Sequence, residues 1–243
     1  MRLNRPEALN ALNEPLLRAL LGSVDAARRD PAVRCLLVGG AGRAFCAGGD
    51  LKAMLAMKDR EEFRAYIQLF QQLSGEMRRV GKPSVAAVHG YALAGGCGLA
   101  AACDLVIAAD DAVFGLPEIK LGLLPLIVLA PILRAASPRR VLELVLSGRE
   151  LPATEGLAMG LVTRVVPRVD LARVVDETAR ALAGFSPAAL ALGKEAFYRA
   201  LELPYAPALG QLRDLLTIVA RSEDAREGIA AFLEKRPPRW HGR

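Results

Sequence analysis

Phe45-Cys46-Ala47-Gly48-Gly49-Asp50-Leu51, read together with Ala94-Gly95-Gly96-Cys97-Gly98-Leu99, decides the fold. Each is a turn of small residues at the end of an apolar, strand-like run, and the second opens into a helix-like run over Leu99 to Cys103. One such turn marks only a tight corner. Two of them can bring two backbone N–H groups to one point, which is how an oxyanion hole is built.

Working outward, Val33 to Val38, Ser84 to Val88, Cys103 to Asp110 and Leu161 to Val166 read as short buried strands from their continuous apolar runs. Leu16 to Arg29 and Glu61 to Val80 carry helical apolar spacing, and Pro31 disfavours helix at Asp30. Pro138 to Ser147 reads as a further helix. From Leu171 onward the pattern is helical, with breaks at Ser186-Pro187, Pro204 and Ser222, and Ser186 and Ser222 are N-cap candidates. Strand, turn and helix in alternation predict an α/β fold.

At 243 residues the chain can bury one large core with an appended subdomain. With 53% hydrophobic residues it is not a disordered chain. The formal charge of +6 suits a polyanionic ligand or an arginine-rich solvated surface, and there is no basic stripe interleaved with aromatics to indicate nucleic acid. Cys35, Cys46, Cys97 and Cys103 form no CxxC pair, and with only His89 and His241 besides, no metal site is expected. Reduced, mostly buried thiols predict a cytoplasmic protein. Residues 1–6 have no apolar signal core, and the greasy stretch Leu121 to Leu133, interrupted by Pro125 and Pro131, is too short to span a bilayer.

Further segments make the pattern specific. They are Asn4-Arg5-Pro6-Glu7-Ala8-Leu9-Asn10-Ala11-Leu12, His89 to Gly98, Phe114-Gly115-Leu116-Pro117-Glu118-Ile119-Lys120-Leu121-Gly122, and Glu227 to Pro237. Together with the first turn, in this order and spacing, they resemble the crotonase (enoyl-CoA hydratase/isomerase) family over nearly the whole chain. The resemblance implies a spiral of repeated ββα units. It divides the chain into a core over residues 1–185, holding a CoA-thioester site, and a C-terminal helical region over 186–243 that builds trimers, often paired into hexamers. It implies an acyl-CoA thioester substrate and no cofactor beyond the coenzyme A that substrate carries. It also assigns roles. The N–H groups of Gly49 and Gly95 would hold the thioester oxygen, Gly95 with the help of a helix N-terminus. Glu118, in apolar surroundings that raise a carboxyl pKa, would be the acid/base. Ala47, Asp50, Leu51 and Lys52 would meet the coenzyme, with Asp50 also a helix cap. Phe232 and Lys235, one helical turn apart, would close over its adenine end from a neighbouring subunit or else be plain core and solvated charge.

Three departures from the family pattern stand out. The chain begins almost at Asn4-Arg5-Pro6, where relatives usually carry a strand ahead, so either the first strand pair is missing or the start was assigned late. Many hydratases have a second glutamate three residues after the oxyanion glycine, where this chain has Gly98. Relatives continue after Pro125 with a glycine-rich segment, where this chain has Leu126 to Arg134, an apolar helix suited to an acyl pocket or to core packing. The expected activity is hydration of a 2-enoyl-CoA in fatty-acid or related acyl-CoA catabolism. The alternatives are double-bond isomerisation by Glu118 alone, or a non-catalytic CoA-ester- or RNA-binding relative. No Gly-x-Ser-x-Gly elbow supports a serine hydrolase, and His89 reads as structural.

Overall fold

The computed structural model describes residues 1–242. A five-stranded sheet, parallel throughout, runs in the order β1 (Arg2–Leu3), β2 (Leu36–Gly40), β3 (Ser84–Val88), β5 (Leu105–Ala109), β8 (Arg164–Val166). A smaller sheet runs β4 (Tyr91–Leu93), β6 (Val113–Gly115), β7 (Glu150–Pro152), with β4 and β6 parallel and β7 antiparallel. Isolated parallel bridges, Cys46 to Ala92 and Leu12 to Gly49, carry the small sheet on into the first glycine turn.

Helices fill the connections: α1 (Glu14–Arg29), α2 (Leu51–Leu55), α3 (Arg60–Arg79), α4 (Gly95–Ala101), α5 (Leu126–Ala135), α6 (Pro138–Ser147), α7 (Ala153–Met159) and α8 (Leu171–Ala183). They are followed by α9 (Pro187–Ala200), α10 (Tyr205–Ala220) and α11 (Glu223–Leu233). The run β3–β4–α4 is a large-sheet strand, a small-sheet strand and a helix, the ββα unit the resemblance implies, and β5–β6 begins another.

Side-chain alternation along the large sheet divides the core in two. Ala86, Val88, Val106 and Ala108 face the main cluster, which also takes in Leu17 and Val24 of α1 and Leu69, Leu73 and Met77 of α3. Val85, Ile107 and Ala109 face the opposite side, where Leu171, Val174 and Val175 of α8 cover them. Both faces are therefore apolar, which is why these strands read as unbroken hydrophobic runs.

Several boundaries depart from expectation. The strand expected over Val33 to Val38 begins at Leu36, because Val33 N–H turns back to the Asp30 carbonyl (3.1 Å), and it continues to Gly40. The strands expected over 103–110 and 161–166 shorten to 105–109 and 164–166. The helix after the second glycine turn starts at Gly95 itself rather than at Leu99, so the glycines form its first turn. A first strand is present as the two residues of β1, whose buried Leu3 packs in the main core. Ser186 and Ser222 cap their helices, accepting from Ala189 and Ala225 N–H at 3.0 Å each.

Candidate active site

Three chain segments run side by side and end together: the stretch through Cys46, β4 and β6. The Cys46 N–H donates to the Tyr91 carbonyl (2.9 Å), Leu93 N–H to Cys46 (3.0 Å) and Ala94 N–H to Gly115 (2.9 Å). Parallel registration therefore delivers Gly48-Gly49, Ala94-Gly95 and Pro117-Glu118 to the same, carboxyl end of the small sheet. In open α/β sheets that is the end where ligands bind.

The two glycine turns touch. A Cβ placed on Gly48 would stand 3.1 Å from the Gly95 amide nitrogen, and one on Gly95 would stand 3.4 Å from the Gly49 amide nitrogen. Gly48 takes φ +103°, and Ala94, although not glycine, is held at φ +52°. Among the described residues, neither the Gly49 nor the Gly95 N–H finds an acceptor. Two adjacent amide donors at one point, both free, have the geometry by which an oxyanion can be stabilised.

The first turn is braced from three sides. Leu12 N–H donates to Gly48 (2.7 Å) and Asp50 N–H to the Leu12 carbonyl (3.2 Å). Tyr66, buried in α3, donates its hydroxyl to the same Leu12 carbonyl and accepts from Asp50 N–H at 3.3 Å. Arg5 holds the Ala11 carbonyl (2.6 Å) and the Asp50 carboxylate (2.9 Å), while buried Asn10 ties Ala41 and Ala44 at 2.8 Å each. The Asn4-to-Leu12 motif thus serves the turn through hydrogen bonds. Sequence reading missed Tyr66, which lies in a helix 54 residues from Leu12 and carries no motif.

Glu118 sits in a short 3-10 helix, Pro117–Leu121, one residue beyond Pro117. Its Oε2 is buried without a hydrogen-bond partner. Burial pushes its carboxyl above the ordinary glutamate value of 4.5, an effect its own backbone N–H offsets in part. Fully buried Cys97 lies close enough for Glu118 to raise its thiol, and burial, the larger cause, brings that thiol to about 12. The cysteine is therefore a protonated, inert neighbour.

Of the other expected site residues, Ala47 lies in the first turn, its N–H on the Leu9 carbonyl (3.0 Å). Asp50 is the N-cap of α2, accepting from Ala53 N–H at 3.1 Å, and Leu51 and Lys52 open that helix with exposed side chains. Phe232 is not core: it is 83% exposed on α11, which packs against α9 and α10. Phe232 and Lys235 are not one turn of one helix either. The helix ends at Leu233, and Lys235 follows in the left-handed region at φ +55°. His89 holds the Gly42 carbonyl at 3.0 Å and is buried, in keeping with a structural role.

At Gly98 the missing second carboxylate has a physical cause. A Cβ there would stand 2.5 Å from Cβ of Val128 in α5, and nearer still to one of its methyls. The apolar helix that replaces a glycine-rich segment fills the space a side chain at 98 would need. Between α3, α4 and α5 lies a narrow cavity whose walls include Gly95, Phe70, Leu99 and Val128, with Ser74 as its one polar side chain.

The family model described as enoyl-CoA hydratase/isomerase matches residues 1–243. A Mycobacterium tuberculosis protein named "Probable enoyl-CoA hydratase" is 41% identical over 239 residues, covering 98% of this chain and 92% of its own. The 2,3-dehydroadipyl-CoA hydratase of Escherichia coli is 37% identical over 244 residues, covering 100% and 94%. A crystal structure of an enoyl-CoA hydratase from Mycobacterium smegmatis superposes with a TM-score of 0.95 at 34% identity, covering 99% of this chain and 93% of that one. Free paired amides, a glutamate with one buried and unpartnered oxygen, and full-length similarity lead to the same place: the chain belongs to the enoyl-CoA hydratase/isomerase family and is an enzyme of the crotonase fold.

Proposed function

We propose that the protein adds water reversibly across the double bond of 2-enoyl-CoA thioesters, with Glu118 as sole acid/base. The observation that carries this reading is the buried, partnerless Oε2 of Glu118. A carboxylate oxygen that the fold leaves unsatisfied costs stability, and burial raises the group's pKa above the ordinary glutamate value, which favours taking and returning a proton.

In the proposed reaction water attacks C3 while Glu118 accepts its proton. The π electrons move onto the thioester oxygen, which the Gly49 and Gly95 amides hold, each donor contributing about 3 kcal/mol to the barrier reduction. Glu118 then returns the proton to C2. Nothing in these steps calls for a cofactor or metal beyond the substrate's own coenzyme A. Ala47, Asp50, Leu51 and Lys52 would line the coenzyme's path. Because Asp50 is committed to Arg5 and to capping α2, the phosphate charge would fall to Lys52. Phe232 and Lys235 would serve the adenine of a neighbouring subunit, and the exposure of Phe232 favours this.

We read residues 186–243 as an oligomerisation region on a 1–185 core, forming homotrimers or hexamers. Exposed Tyr205, Leu209, Leu216 and Ile218 on α10 support this. Among the described residues no helix is long and apolar enough to cross a membrane. Four free cysteines support a cytoplasmic setting.

Double-bond isomerisation, moving one proton from C2 to C4, is the second reading. Val128 favours it by occupying the place of a second, water-orienting carboxylate. Mass spectrometry after incubation with crotonyl-CoA separates the two: hydration gives a product heavier by one water. Glu118→Gln should lower kcat by about 10²- to 10⁴-fold with CoA-ester binding retained. Undiminished turnover in that variant would remove Glu118 from the mechanism.

A further inference from the structure

We propose that Val128 is the stop of the acyl pocket, and that the site takes a short, unbranched hydrocarbon acyl chain and rejects one ending in a charge. This inference rests on the reading of the site as one for acyl-CoA thioesters, and concerns what the acyl group must be.

The cavity beside Gly95 is the space next to the paired amides that is lined by side chains of three helices. An acyl group whose carbonyl oxygen lies on those amides would extend into it, and its volume of about 20 Å³ leaves room for little beyond a short chain. Leu73, Leu99, Ile127, Val128 and Pro131 surround it, and no cation is among its lining residues. A terminal carboxylate driven into such walls would lose its hydration with nothing to replace it. The 2,3-dehydroadipyl group that names the Escherichia coli relative ends in such a carboxylate, so acyl preference differs between the two proteins on this account.

Two side chains press on the first turn of α4. The Phe70 ring edge stands 2.8 Å from where a Gly95 Cβ would be, and Val128 covers Gly98. Gly95 and Gly98 are three residues apart and so share a helix face. That face is where a longer or branched chain would run. Val128 is β-branched, with few rotamers to retreat to, and it is buried at 6% exposure on a helix anchored by the buried Ile132. It cannot swing aside as a methionine or leucine would. Small residues on α4 and a stiff one on α5 thus define the pocket's end together.

The test is calorimetric binding of butyryl-, octanoyl- and adipyl-CoA, saturated thioesters that carry the anchoring carbonyl and cannot be hydrated. Wild type should prefer butyryl over both others by about tenfold or more. Val128→Ala should shift the octanoyl-to-butyryl ratio toward octanoyl by about tenfold, and Val128→Ile, larger and equally stiff, should shift it the other way. Should the alanine variant fail to fold, the isoleucine variant carries the test alone. Unchanged ratios in folded variants, or equal butyryl and octanoyl affinity in wild type, overturn the role of Val128 while leaving the thioester reading standing. Wild type that binds none of the three overturns that reading, and this inference with it.

Discussion

Asp104 and Glu118 are carboxylates at strand ends, and the fold treats them oppositely. Asp104 stands just before β5 and is saturated. It accepts from Ser84 N–H (2.7 Å), Ser84 Oγ (2.8 Å), Lys194 Nζ (2.7 Å) and Tyr198 O–H (2.7 Å). Lys194 spends its other protons on the carbonyls of Met77 (2.8 Å) and Lys82 (2.9 Å). Glu118 stands just after β6 with a buried oxygen that has no partner. The first carboxylate fastens α9 to the sheet. The second keeps an unsatisfied oxygen, which is what the proposed acid/base role requires. A buried carboxylate oxygen without a partner, unlike a satisfied one, calls for a functional explanation.

Removing the cation of the saturated site gives the largest stability effect. Lys194→Met should cost about 2 kcal/mol of unfolding free energy, below the range for a broken fully buried pair because Asp104 is partly exposed and keeps three donors. Denaturant melts would show it, and a stability loss below about 1 kcal/mol would erase the contrast.

Tyr66→Phe sharpens the other side. It leaves the ring packing against Phe70 (5.2 Å between centroids) and takes away only the hydroxyl that braces Leu12 and Asp50. The expected result is a fall in kcat of about tenfold with KM unchanged, since a loosened turn misplaces the Gly49 donor in the transition state. Equal loss in KM and none in kcat would make the brace merely structural.

The smallest effect is the pH dependence of stability at Glu118. Its folded pKa is raised, so the folded state holds that proton more tightly than the unfolded chain does. Wild type therefore loses stability as pH climbs from about 4.5 through the raised value, whereas Glu118→Gln does not. The variant's Tm advantage should be absent at acid pH and grow to a few degrees near neutrality. A constant difference across that range would mean that the carboxyl is not desolvated.

The site was more legible in the sequence than its supports. Gly49, Gly95 and Glu118 are picked out by the family resemblance, whose motifs are short and local in the chain, although a glycine turn or a Pro-Glu step by itself says little. Lys194 and Asp104 are 90 residues apart, and nothing local to either foretells the other. Strand ends were misjudged where backbone turns such as that of Val33 onto Asp30 overrule apolar runs. The helical onset at Gly95 was hidden because glycine is a poor helix former that tertiary contacts here overrule. Gly98 could be noted as a departure, but its reason lies 30 residues on, in the packing of α5.

That packing also couples two positions. A Cβ at 98 would stand 2.5 Å from that of Val128, and an alanine at 128 would leave the same contact, so either α5 shifts or position 128 becomes glycine before an acid fits at 98. A survey of single substitutions should therefore score Gly98 as intolerant, while pairing a change at 98 with glycine at 128 should relieve the clash.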